Sequence, residues 1–394
     1  MPTPSPTLTA DAAAELIGRA LEPVRPGRGS VGLEVEWIVV DRSDTTRPVA
    51  ADEVLAAAVG PLPGGGTVGV EPGGQLELTT PRRPDPPTAL AAADTDEAAL
   101  RRRLAAAGLA LVATGVDPWR PPRRSLDLPR YRAMEAAFDA RGPAGRVMMC
   151  STAALQVNLD FGADPVATCI RAALVAPVLA AAFANSPRIA PDGTVIASAR
   201  ALVWAAIDPG RTLPAPPDGW TGYALDADVL FIRADGDAHP VGSPFPLRHW
   251  LAEGHPLGYP DVHDVAEHLT TLFPPVRPRG WLECRFLDAL PADDRRVAVP
   301  VLAALVGDAA PLDRLTTICG GVEDAWALVP TGLADPGLRA AARDCLALAA
   351  DLLDAAAPGG GRAVRAWAER RADAGWAPAP VDLQSLHHVE QEIP

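Results

Sequence analysis

Four stretches of the chain alternate apolar residues with Glu, Gln, Asn or Arg: Val31 to Trp37 (VGLEVEW), Glu71 to Leu78 (EPGGQLEL), Leu155 to Phe161 (LQVNLDF) and Trp281 to Phe286 (WLECRF). Brought to one place, these side chains form an oxygen-rich set, which favours Mg²⁺, Mn²⁺ or Ca²⁺ over zinc. Carboxylates packed together repel one another and raise their own pKa values, so such a cluster persists where a hard cation binds it. Arginines stand near the acids. Arg285 follows Glu283 at strand-face spacing, and Arg200 precedes a Trp204, Asp208 and Arg211 cluster. The plain reading of each arginine is an ion pair that neutralises the acids. The chemical reading is an anion clamp, because a guanidinium matches phosphate or carboxylate oxygens two at a time. Metal ligands plus arginines suit phosphoryl transfer from a chelated ATP.

Positioning these residues requires strands. Side chains alternate between the two faces of a strand, so Leu33, Val35 and Trp37 point one way and Glu34 and Glu36 the other. The same split sets Leu76 and Leu78 against Gln75 and Glu77. It sets Leu155, Val157, Leu159 and Phe161 against Gln156, Asn158 and Asp160, and Leu282, Cys284 and Phe286 against Glu283 and Arg285. A single Glu-x-Glu reads most simply as a half-buried strand with a solvated face; recurrence in four segments favours one shared cleft. Helices are predicted at 12–21 with Asp11 as cap, 94–107, 131–140, 165–184 with Asp164 as cap, and 262–271 with Asp261 as cap. A strand is expected near 109–115. Three helices are expected after Pro291, and 198–211 fits no single pattern. Strands dispersed among helices give an α+β class, an antiparallel sheet whose polar face forms the site. We read 1–20 as an N-terminal extension running into the first helix, 21–376 as one catalytic domain with a helical part from 292, and 377–394 as a tail.

With 394 residues, 48% hydrophobic and 21% charged, the composition is that of an ordinary globular protein. A formal charge of −14 disfavours nucleic acid or an anionic membrane as partner. There is no lysine, so all 35 basic residues are arginines, which excludes Schiff-base chemistry and a P-loop lysine. No Walker A motif and no G-x-S-x-G occurs. The N-terminus lacks the basic and apolar regions of a secretory signal, and the apolar run 172–184 falls short of the ~20 residues that span a bilayer, giving a soluble cytoplasmic protein as the expectation. Five dispersed cysteines without Cys-x-x-Cys spacing suit reduced, buried thiols. His263 and His268, five apart, do not make H-E-x-x-H and are expected on an exposed helix face. A glycosidase needs two acids and a sugar cleft rather than a repeated acidic face.

The segments VGLEVEW, VEPGGQLELTTP, RYRAMEAAF, MMCSTAALQVNLDF, Arg200-x-x-x-Trp204-x-x-x-Asp208-x-x-Arg211 and EHLTTLFPPVRPRGWLECRFLD follow one another in the order seen in glutamate-cysteine ligases. The chain resembles the actinobacterial branch assigned to ergothioneine biosynthesis, with the plant-type ligases next. The resemblance implies a glutamine-synthetase-like fold, in which an antiparallel sheet forms a funnel for ATP, Mg²⁺ (or Mn²⁺), L-glutamate and L-cysteine. It implies Glu34, Glu36, Glu77, Gln156 and Glu283 as metal-site residues, and Arg200 and Arg285 as the arginines near the transferred phosphoryl group and the substrate carboxylate. It implies Glu71, Gln75, Tyr131, Thr152, Asn158, Trp204 and Arg211 as substrate contacts. The plant-type pattern continues Arg-Thr-Gly, whereas Leu213 follows Arg211-Thr212 here. The Pro/Arg-rich stretch 117–146 is expected to contribute a lid against water. Within the family the amine acceptor is open. A regulator that binds metal or nucleotide without catalysis, and a metal-dependent hydrolase, are the other classes.

Overall fold

The computed structural model describes residues 8–24, 29–216 and 218–373. Its strands are β1 (Val31–Asp41), β2 (Thr67–Val70), β3 (Leu76–Thr79), β4 (Leu109–Val112), β5 (Ala154–Leu159), β6 (Arg188–Ile189), β7 (Val195–Ile196), β8 (Phe231–Ala234), β9 (Asp237–Pro240), β10 (Val276–Pro278) and β11 (Leu282–Asp288). Seven of them make one sheet in the order β10-β11-β5-β1-β3-β2, with β4 paired to the far half of β1. Every pairing in it is antiparallel. The pairs β6-β7 and β8-β9 are separate two-stranded sheets.

The alternation read from the sequence is what the sheet uses. Leu33, Val35, Trp37, Leu76, Leu78, Leu155, Val157, Leu282 and Cys284 are fully buried on one face, in a single core shared with the helices of the C-terminal third. The apolar helix Pro165–Ala182 lies in that core, against β11 and the helices Ala292–Val306, Leu312–Cys319 and Pro336–Ala356. Asp164 caps it through the amides of Val166 and Ala167, and Pro165 occupies the first turn, where its missing N–H costs nothing. At 18 residues it has the length and composition of a membrane span, yet Ala172, Val175, Ala176 and Leu179 are enclosed by protein.

Several elements differ from expectation. The first helix is Ala10–Gly18, capped by Thr9 rather than Asp11, because the Thr9 hydroxyl accepts from the Ala12 amide. The helix expected at 94–107 begins eight residues earlier, at Pro86, behind an Asp85 cap. Its two prolines stand in the first turn, where they are compatible with a helix. Residues 198–211 resolve into two short helices, Ala199–Ala205 capped by Ser198 and Pro209–Thr212 capped by Asp208. After Pro291 there are five α-helices among the described residues rather than three. His268 is buried instead of exposed, its Nε2 paired with the carbonyl of Ala224 at 2.8 Å. The 1–20 extension is described only from residue 8, and the 377–394 tail lies outside the described residues.

In β11 the register slips. Cys284 pairs with Val157, but Leu287 rather than Phe286 pairs with Leu155, so the strand carries one extra residue. Beyond that bulge Asp288 stands opposite Ala154.

Candidate active site

The face of the sheet opposite the core carries Glu34 and Glu36 of β1, Glu77 of β3, Gln156 and Asn158 of β5, and Glu283 and Arg285 of β11. The register aligns them across strands: Glu36 faces Glu77, Glu34 faces both Thr79 and Gln156, and Glu283 faces both Asn158 and Arg277. Glu71 reaches the same place from a turn. Its amide donates to the Gln75 carbonyl at 2.8 Å and its carbonyl accepts from the Gly74 amide at 2.9 Å. Gly74 sits at φ +96°, and a Cβ on Gly73 would stand 2.0 Å from the Cys150 carbonyl oxygen, so both glycines are required.

The turn brings Glu71 beside Glu36 and Glu77, with one carboxylate oxygen from each within 4.8 Å of the others. Burial, followed by the charges of Glu36 and Glu77, pushes the Glu71 carboxyl up to about 8. Burial, followed by Glu36 and Glu34, pushes Glu77 up to about 7. Burial also raises Glu36, against the pull of Arg200. Three mutually repelling carboxylates, one buried and two half-buried, fit a hard divalent cation, whose charge would remove the repulsion. Glu71, expected from sequence as a substrate contact, stands in one group with Glu36 and Glu77.

Carboxamides fix the carboxylates. Gln156 donates through Nε2 to Glu36 at 3.0 Å while its Oε1 accepts from Arg285. Asn158 donates to Glu34 at 3.0 Å and accepts from the Trp281 indole at 3.0 Å. Glu283, expected as a metal ligand, stands apart from the three-carboxylate group. Its oxygens accept from Arg277 at 2.5 Å and from Arg279 and Arg285 at 3.2 Å. Burial opposes its ionisation, but Arg277 and then Arg285 outweigh burial and hold it near 2. One carboxylate among three guanidiniums leaves positive charge over this part of the sheet.

Arg200 is buried under the edge of β11, its guanidinium 5.0 Å from the Trp204 ring centroid. Its helix is held by Asp288, which accepts from the Ser186 and Ser198 hydroxyls at 2.8 and 3.1 Å, while Ser186 accepts from the Arg200 amide. The Nε atoms of Arg200 and Arg285 and the indole Nε1 of Trp204 are buried without partners. These three residues share a cavity of about 80 Å³ with Leu213, Phe273, Phe286 and Trp326. Unspent buried donors beside a carboxylate cluster are suited to an anionic ligand.

The family model for glutamate-cysteine ligase family 2 (GCS2) matches residues 30–375. The chain belongs to that family. It is 41% identical over 339 residues to the glutamate-cysteine ligase EgtA of Mycolicibacterium smegmatis, covering 82% of this chain and 80% of that one. It is 40% identical over 341 residues to EgtA of Mycobacterium tuberculosis, covering 82% and 79%. The chloroplastic glutamate-cysteine ligase of Brassica juncea is 29% identical over 297 residues, covering 70% and 56%. Among solved structures, the Francisella tularensis glutamate-cysteine ligase in complex with AMP superimposes with a TM-score of 0.57 at 12% identity, covering 93% of this chain and 86% of that one. The fold is thus that of a glutamate-cysteine ligase, and the chain is an enzyme of that class.

Within this ligase some expected contacts prove to be braces. Arg211 is fully enclosed, and its guanidinium donates to Asp208 at 3.0 Å, to the Thr271 carbonyl at 2.8 Å and to the Asp228 carbonyl at 2.6 Å. Its donors, expected from sequence to meet substrate, are here engaged within the protein. Gln75 accepts from the Gly73 amide within the Glu71 turn at 3.0 Å and donates to the Thr152 carbonyl, just ahead of β5, at 2.8 Å. The Thr152 hydroxyl is turned back to Met148 at 2.7 Å. Tyr131, on the helix Pro129–Asp139, faces the carboxylates. Burial and then Glu71 raise its phenol above the ordinary tyrosine value. The sequence reading passed over Arg277 and Asp288. The R-x-R at 277 and 279 ahead of the strand was a usable signal for the first, whereas the bulge hid the facing of the second.

Proposed function

We propose that the protein joins the γ-carboxylate of L-glutamate to the amine of L-cysteine, driven by ATP, and releases γ-glutamylcysteine, ADP and phosphate. The observation that carries this reading is the set of unpaired donors on Arg200, Arg285 and Trp204 beside the Glu36, Glu71 and Glu77 cluster, in a chain of this family. A carboxylate is a poor electrophile. Its oxygen first attacks the γ-phosphorus of ATP, the bond to ADP breaks, and γ-glutamyl phosphate results. The cysteine amine then attacks the acyl carbon, loses its proton, and phosphate leaves.

Arg200 and Arg285 offset charge on the transferring phosphoryl group and the substrate carboxylate. Glu36, Glu71 and Glu77 would hold Mg²⁺ or Mn²⁺, with Glu34 and Gln156 alongside; when bound, the cation supplies charge neutralisation at the phosphoryl oxygens. Residues 113–128 and the helix Pro129–Asp139 serve as the cover. The amides of Ser125 and Leu126 donate to the Pro72 carbonyl at 2.6 and 3.2 Å, laying this segment over the Glu71 turn. Such a cover protects an acyl phosphate from water. We place the reaction in the cytoplasm, as a step towards ergothioneine.

The test is ADP release from Mg²⁺-ATP and glutamate, with and without cysteine, together with mass detection of product. Cysteine-dependent ADP release with γ-glutamylcysteine supports the reading. ADP release without that product points to another amine acceptor, and absence of ATP turnover removes the ligase assignment.

A further inference from the structure

The helical layer on the apolar face of the sheet holds two adjacent thiols that the ligation chemistry does not use. Cys319 is the last residue of the helix Leu312–Cys319, and Cys345 lies within the helix Pro336–Ala356; these helices pack on one another and both on Pro165–Ala182. The two Sγ atoms stand 3.8 Å apart, although the residues are 26 apart in sequence. A disulfide bond measures about 2.05 Å, so ~1.8 Å of closure would join them. Cys345 is fully enclosed in mid-helix, whereas Cys319 keeps 7% exposure and is followed by the exposed Gly320 and Gly321. Closure therefore falls on the Cys319 end, where a glycine turn can yield. A hydrogen bond from Cys345 holds the Cys319 thiol below its ordinary range. Burial instead pushes Cys150 and Cys169 up to about 12 and raises Cys284 as well. Of the five thiols, Cys319 is the one that combines thiolate character with an open side.

We propose that Cys319 and Cys345 form a peroxide-sensitive dithiol, whose disulfide closes residues 320–344 into a loop. The Cys319 thiolate attacks one oxygen of hydrogen peroxide and the O–O bond breaks. The hydroxide released leaves as water with the proton the thiol gave up, and Cys319 becomes a sulfenic acid. The Cys345 sulfur then attacks the Cys319 sulfur, the S–O bond breaks, and a second water leaves with the Cys345 proton. The two thiols lose two electrons and the peroxide gains them; a dithiol reductant returns the pair to its starting state. The segment so closed reaches the active site. It carries Trp326 and Val329, which border the cavity of Arg200, Arg285 and Trp204. It also carries Pro330, whose carbonyl accepts from the Ala197 and Ser198 amides at 2.7 and 3.2 Å, directly ahead of the helix that bears Arg200. The bond stabilises the folded chain by restricting the unfolded one, and the stretch it secures is a wall of the site.

The test treats the reduced full chain with hydrogen peroxide, unfolds it, alkylates the remaining thiols with iodoacetamide and maps the tryptic peptides by mass. Trypsin cuts after Arg339 and Arg343, between the two cysteines, so the bond would join peptide 315–339 to peptide 344–362. That joined pair, lighter by two hydrogen atoms than its parts, is the expected product, with Cys150, Cys169 and Cys284 still alkylated. The oxidised chain should melt higher by on the order of 5 °C, and dithiothreitol should remove the rise. Cys319→Ala and Cys345→Ala should each lose the joined peptide and the rise. In Cys345→Ala, peroxide should leave a sulfenic acid on Cys319 that dimedone traps. Oxidation of Cys319 to sulfinic acid without joining overturns the proposal, as does a bond to any other cysteine or a joined chain that melts no higher than the reduced one. If Cys345→Ala does not fold, Cys319→Ala, at the less buried end, decides.

Discussion

Arg200 donates from Nη2 to the backbone carbonyl of Arg285 at 2.9 Å, while both residues leave Nε buried and unpaired. Each guanidinium is thereby fixed by one edge with another donor free. Lysine keeps the charge but not this fork. Arg200→Lys and Arg285→Lys should lower kcat for ligation by about 10²–10³, the usual cost of losing one aimed donor. Circular dichroism and thermal melts should stay close to wild type. Activity within a few-fold of wild type in both variants would remove these arginines from the reaction.

Glu36 accepts from the Ala154 amide at 2.8 Å and from Gln156 at 3.0 Å. Glu36→Gln preserves shape and removes the charge, so ligation should fall by at least about 10². Binding of Mn²⁺, measured by calorimetry, should weaken in parallel. Unchanged Mn²⁺ binding would refute the metal assignment of this group.

Gly73 lies against the Cys150 backbone so closely that a methyl group would have to displace the turn. Gly73→Ala should cost about 1–3 kcal/mol in urea unfolding, the range for a forced overpacking. Because the same turn carries Glu71, cation affinity should drop even in the fraction that remains folded. A variant as stable as wild type would mean that the turn yields.

Burial, with the charge of Arg211 as a smaller contribution, lowers His268 from its ordinary 6.5 to about 4. Below pH 6.5 the unfolded chain binds a proton that the folded chain refuses until about pH 4. This contribution to stability is therefore complete above 6.5 and lost as pH falls towards 4, amounting to about 3 kcal/mol. Denaturant unfolding at pH 7 and pH 4.5 should show a larger loss in wild type than in His268→Gln. Equal losses would mean that His268 is readily protonated in the folded protein.

Strand alternation made one half of the site legible. Leu33, Val35 and Trp37 against Glu34 and Glu36 fix a buried face and a polar face without any tertiary information. What the sequence concealed depends on long-range approach. Glu71 sits outside the regular strands and reaches Glu36 only because Gly73 and Gly74 allow a close turn. Arg211 carries the spacing of a ligand contact, but its surroundings come from Asp228 and Thr271, remote in sequence. His268 belongs to a helix that packs on the helix Ala10–Gly18 and meets the Ala224 carbonyl of the helix Trp220–Asp226, and nothing in its own neighbours marks it as enclosed.

The extra residue in β11 acts as a phase shift in the chain. Upstream of it, odd-numbered positions such as Glu283 and Arg285 face the ligands; downstream an even-numbered position, Asp288, takes over and secures the helix that bears Arg200. Loss of Phe286 would leave one residue on each strand between the pairs Cys284–Val157 and Leu287–Leu155, so the bulge would close with Leu287 still in the core and Asp288 still opposite Ala154. The segment can therefore give up its surplus residue without moving Asp288, and a library of single-residue deletions should show position 286 surviving where neighbouring strand positions do not.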